Sequence, residues 1–71
     1  MVVDVFYKTN KLVGAAAIEA LKFGVDYNIL SANQLELSCA DINRINLIVE
    51  KFGGIITKEY TQQELENYRW P

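Results

Sequence analysis

The chain has no histidine and only one cysteine, one proline, one methionine and one tryptophan. Without histidine, neither a Ser-His-Asp nor a Cys-His arrangement can be built, and acid–base chemistry would fall to a carboxylate, Lys, Tyr or Cys39. A lone cysteine excludes an internal disulfide framework, and it falls three ligands short of a Cys/His zinc site. A chain without such staples folds on its core alone or with help from a partner. It fits a reducing, cytoplasmic compartment best. No apolar run approaches the roughly 18 residues of a membrane span, so no membrane partner is expected. Met1-Val2-Val3-Asp4 has no basic segment and does not read as a secretory signal. The four glycines are nowhere spaced as G-x-G-x-x-G or G-x-x-x-x-G-K, and no cofactor is expected.

What remains is ordinary for a small globular protein. Seventy-one residues, 51% hydrophobic and 23% charged, read as one α+β domain over 1–71. At this length about 60% of the unfolded surface is buried, which leaves one core. Seven Lys and Arg stand against nine Asp and Glu, for a net charge of −2. The basic residues are scattered, with Lys8 and Lys11 the only close pair, so the phosphate-neutralising patch of a nucleic-acid binder is missing. There is no acidic run to mimic DNA. Asparagine, isoleucine and lysine supply 18 of the 71 residues. That bias accompanies AT-rich coding sequence and is compatible with a phage or a low-GC bacterium.

The hydrophobic pattern divides the chain into short elements. Val2 to Tyr7 is β-branched and aromatic and predicts a strand. Thr9-Asn10 offers an N-cap for a helix over Lys11–Phe23, where Val13, Ala16, Ala17, Ala20 and Leu21 recur at helical spacing. Gly14 inside that helix suggests a close approach to the sheet, and Gly24 suits a C′ position with positive φ. Residues 25–30 and 34–39 alternate as strands across the turn Ser31-Ala32-Asn33, which makes them an antiparallel hairpin. Asp41 caps a second helix over Ile42–Phe52 with the stripe Ile42, Ile45, Ile48, Val49 and Phe52, and Gly53-Gly54 stops it. Ile55–Tyr60 reads as a fourth strand with indistinct faces. Thr61-Gln62-Gln63-Glu64 is a capping box opening a short helix to about Tyr68.

This β-α-β-β-α-β order resembles the split-βαβ, ferredoxin-like pattern. That resemblance implies a four-stranded antiparallel sheet of order 4-1-3-2, two helices on one face and a short C-terminal helix. Val3, Val5, Tyr7, Val25, Tyr27, Ile29, Leu35, Leu37 and Cys39 are expected under the helices. Ala17, Leu21, Ile48, Val49 and Phe52 are expected to cover them. Asp4, Phe6, Asp26, Asn28, Leu30, Glu36 and Ser38, joined by Val2, would lie on the open face. An RNA-recognition motif places stacking aromatics on that face, but here Phe6 lies beside Asp4 and Glu36, which repel phosphate. The fold hosts many unrelated functions and does not name one.

Four features carry candidate chemistry. Cys39 ends a strand two residues before a helix cap, where a thiolate would be stabilised; the plainer reading is a small buried hydrophobe sharing a face with Leu35 and Leu37. Asp4 and Glu36 fall side by side on the central strands, as a metal- or proton-sharing pair or as two solvated charges. Tyr60, Tyr68 and Trp70 crowd the C-terminus, either to dock on the chain itself or a second copy, or to engage a partner. Phe6 and Leu30, with Val2, form a modest apolar patch, and the second and fourth strands are edges open to β-augmentation. The expectation is a non-enzymatic protein-interaction module, acting as adaptor, regulator or inhibitor of a larger protein. Phe6, Leu30, Tyr68 and Trp70 would bind that partner, and a homodimer stays open. The alternative is a small-molecule or sulfur carrier using Cys39.

Overall fold

The computed structural model describes residues 1–67. Expectations for Tyr68 and Trp70, and for the end of the last helix, lie outside them. The elements run β1 (Val2–Phe6), α1 (Asn10–Lys22), β2 (Asp26–Ile29), β3 (Gln34–Ser38), α2 (Ile42–Lys51), β4 (Ile55–Glu59) and α3 (Gln62–Asn67). The strands form one antiparallel sheet of order β2-β3-β1-β4, the α+β ferredoxin-like topology.

The helix starts follow from local chemistry. Thr9, in extended conformation, accepts a hydrogen bond from the Leu12 amide at 3.2 Å, and Asp41 accepts one from the Asn43 amide at 2.9 Å. The capping box closes reciprocally, the Thr61 amide donating to Glu64 Oε1 and the Glu64 amide to Thr61 Oγ1. Gly24 and Gly53 follow α1 and α2 with φ of +69° and +66°, a conformation that side chains with a Cβ rarely adopt.

Val3, Val5 and Tyr7 meet Val13, Ala16, Ala17, Ala20, Leu35, Leu37, Ile45, Ile48 and Val49 in one core. Tyr7 is fully buried, and burial pushes its hydroxyl up to about pKa 12; the hydroxyl donates to the Ile48 carbonyl at 3.5 Å. The close approach of backbone to core occurs at Gly54. A Cβ there would stand 2.6 Å from Val5 Cγ1 and 2.7 Å from the Tyr7 ring. Gly14, where a close approach was expected, faces open space.

Coverage also departs from expectation. Tyr27 and Ile29 pair with Leu37 and Leu35 and so share the helix-side face, yet they are 40% and 55% exposed. Leu21 is 71% exposed and covers nothing, and Ile18 one turn earlier is also exposed. Two helices are narrower than four strands, so the edge strand β2 protrudes from beneath α1. Cys39 and Phe52 are half-buried against the core, and Val25 is buried as expected. An ion pair links the two helices, where the exposed Lys51 ammonium donates to the largely covered Glu19 carboxylate and holds it below the usual range.

Candidate functional site

Strand register turns the helix-free face into three cross-strand rows. At one end lie Leu30, Gln34, Phe6 and Ile55. The middle row is Asn28, Glu36, Asp4 and Lys58. The far row is Asp26, Ser38, Val2 and Tyr60, with the Tyr60 amide donating to the Val2 carbonyl at 3.0 Å.

The β1–β4 pairing slips between Asp4 and Val5, so that Thr57 is an extra residue opposite β1. Its hydroxyl donates to the Asp4 carbonyl at 3.3 Å. A bulge of this kind inverts the inside–outside alternation beyond it. Ile56 therefore packs on the core while Lys58 and Tyr60 both emerge on the helix-free face. That inversion is why the faces of this strand are indistinct in the sequence.

The expected Asp4–Glu36 juxtaposition is present, since the two are direct partners in the register. They are not two solvated charges. Glu36 is fully buried and Asp4 half-buried. Each lies on a central strand, flanked by side chains of both neighbouring strands. The Tyr60 hydroxyl donates to Asp4 Oδ2 at 3.1 Å and stands within hydrogen-bonding reach of Glu36. Burial, then the negative charge of Asp4, pushes the Tyr60 hydroxyl far above its usual range, so it stays a donor at neutral pH. Lys58 Nζ lies 4.7 Å from the centre of the Tyr60 ring and pairs with Glu64 at 3.0 Å. The Lys58 ammonium holds the Glu64 carboxyl low. Like charges placed opposite each other are destabilising; the Tyr60 hydroxyl supplies a donor to Asp4 Oδ2, while Asp4 Oδ1 is buried with no hydrogen-bond partner among the described residues. The middle of this face is thus a polar cluster around the buried Glu36, with Asp4 half-buried and Lys58 exposed. Among the described residues, no group of three or more His, Cys, Asp or Glu is arranged to hold a metal ion.

The end row carries the exposed apolar side chains of this face. Phe6, Leu30 and Ile55 are 38%, 41% and 62% exposed, on strands β1, at the end of β2, and on β4. Phe6 and Leu30 are therefore on one row, as expected. Val2 is a correction: it is buried at the opposite end, between Ser38 and Tyr60, and Ile55 takes its place in the patch. Ile55 was missed because its outward direction depends on the bulge two residues later. Tyr60 packs on the chain's own sheet.

Cys39 lies at the entrance to α2, half-buried, and the Asp41 amide donates to its sulfur at 3.4 Å. The N-terminal ammonium of Met1 donates to the Cys39 carbonyl at 3.0 Å. Among the described residues no helix is long and apolar enough to cross a membrane. No protein-family model, curated protein or solved structure matches this chain.

Proposed function

We propose that this chain is a non-enzymatic protein-binding module that contacts a larger protein through the exposed row Leu30–Phe6–Ile55. The observation that supports it is the division of the helix-free face. Its acidic centre, Glu36 and Asp4, is buried or half-buried and bonded to Tyr60, while Phe6, Leu30 and Ile55 at one end are left in solvent. Exposed apolar residues gathered in one place mark protein contacts. An aromatic with aliphatic neighbours is the composition of a contact centre. Gln34, between Leu30 and Phe6 in the row, and Lys58 beside it would supply the polar contacts. Binding there would occlude a surface of the partner, which is how so small a chain would act as an adaptor, regulator or inhibitor.

The test is affinity capture from lysate of the source cell with the purified chain as bait, beside Phe6→Lys and Ile55→Lys chains. A stoichiometric partner retained by the parent and lost by both variants, with their melting temperatures unchanged, supports the reading. A partner held equally by all three contradicts it.

A second reading, a carrier using Cys39, draws on the Asp41 amide directed at the sulfur, which would stabilise a thiolate. Rapid labelling of the native protein by a thiol reagent would support it. Labelling only after denaturation would remove it.

A further inference from the structure

The outer edge of β2 is an unfinished sheet edge. β2 runs in unbroken register with β3, and the Leu30 amide donates to the Gln34 carbonyl at 3.0 Å. Backbone groups alternate in direction along an antiparallel strand. Positions 26, 28 and 30 therefore turn their N–H and C=O groups toward β3, and Tyr27 and Ile29 turn theirs away from the sheet. Among the described residues no other element accepts those two amides. The strand is short, four residues with one acid at its start, Asp26, but it has no lysine, proline or bulge to discourage edge pairing. Beside it, Tyr27 and Ile29 on the helix-side face, with Leu21 and Ile18 on α1, make an apolar flank, each at least 40% exposed. A groove of about 370 Å³ lies at the Leu21–Tyr27 end of this flank, lined by Leu21, Val25, Asp26 and Tyr27.

We propose that this edge pairs with the β2 edge of a second copy of the chain, antiparallel, about a twofold axis at Asn28. The occupant and register follow from the edge itself. An exposed ladder of N–H and C=O groups is completed only by another strand. Centring the pair on Asn28 sets Tyr27 opposite Ile29 of the partner copy and Ile29 opposite its Tyr27, each pair exchanging both backbone bonds. Centring it on Tyr27 would call on the Val25 amide, which already donates to Ala20. Centring it on Ile29 would call on the Ser31 amide, which donates to Gln34. In the Asn28 register the acid Asp26 faces Leu30, so no like charges meet. A twofold contact is self-complementary by symmetry. The Tyr27 and Ile29 side chains of both copies then lie on the same helix-side face, and Leu21 and Ile18 of the two α1 helices close over them. The sheet becomes continuous through both copies, and the Phe6–Ile55 end of the helix-free face stays free. This inference does not depend on the function proposed above.

Sedimentation equilibrium of the full chain, from about 5 to about 500 µM, brackets the affinities expected of a small interface. The parent chain is expected to reach twice its 8.1 kDa mass. Ile29→Pro deletes an outward amide without touching the β3 ladder and should leave a monomer with an unchanged circular dichroism spectrum. Leu21→Glu, on the apolar flank, should weaken association at least ten-fold and guards against misfolding of the proline variant. Ile55→Lys, on the helix-free face, should dimerise like the parent. A parent chain that stays monomeric at the highest concentration overturns the proposal. So does a dimer that survives both Ile29→Pro and Leu21→Glu, or one that Ile55→Lys alone dissociates.

Discussion

The two edges of the sheet are built differently. β4 enters over Gly54 pressed against Val5 and Tyr7, and it carries a bulge at Thr57 and charged Lys58 and Glu59. It continues through Tyr60, bonded to Asp4, into α3, whose Glu64 returns to Lys58. β2 has a regular register, no basic residue and an apolar flank in solvent. The contrast teaches that one edge carries a bulge and charges that discourage pairing, while the other keeps a regular register beside an exposed apolar flank. Substitutions that remove the inward contacts of Gly54, Tyr60 and Lys58 should therefore cost stability, while those on the outer edge of β2 should cost association.

The largest expected effect is at Gly54. Gly54→Ala forces a methyl group into Val5 and Tyr7 and should lower stability by about 1–3 kcal/mol. Chemical denaturation of the variant checks this, and an unchanged midpoint would mean that β4 is not tied to the core as described. Tyr60→Phe comes next. Losing the hydroxyl that donates to Asp4 should cost about 1–2 kcal/mol. A loss at Tyr60 no larger than that of an exposed tyrosine such as Tyr27 would erase the difference between the edges.

On the β2 side the fold has slack. Gly14→Ala, with open space at the methyl position, should raise stability by about 0.5–1 kcal/mol, read as a higher melting temperature. The smallest effect is the response to acid. Lys58 holds the Glu64 carboxyl low, so the pair's contribution is complete above the unfolded glutamate value of about 4.3 and is lost as pH falls through the lower folded value. The Lys58→Met chain should accordingly show a shallower loss of melting temperature below pH 4.3 than the parent.

Much of this was legible in the sequence because it depends on neighbours along the chain. Thr9, Asp41 and the Thr61–Glu64 box cap helices through residues two or three positions away, and Gly24 closes α1 locally. The alternation of Leu35 and Leu37 identified their face, and strand order followed from element order. Alternation, however, states which way a side chain points and not what lies above it. Tyr27 and Ile29 point to the helix side but protrude past α1, and Glu36 points away from the helices yet is buried. The Thr57 bulge exists only in the pairing with β1. Ile55 and Lys58 therefore could not be assigned to a face beforehand, and the apolar row was incomplete without Ile55. Similarly, Gly14 and Gly54 differ only in what the folded chain brings near them.

The most direct test of the two-edge account is hydrogen exchange at the Tyr27 and Ile29 amides, followed by NMR as protein concentration is raised. The account predicts rapid exchange in dilute solution, protection that grows with concentration at these two positions, and little change along β4. Exchange at Tyr27 and Ile29 that stays fast at every concentration, or protection that instead appears at Phe6 and Ile55, would contradict it.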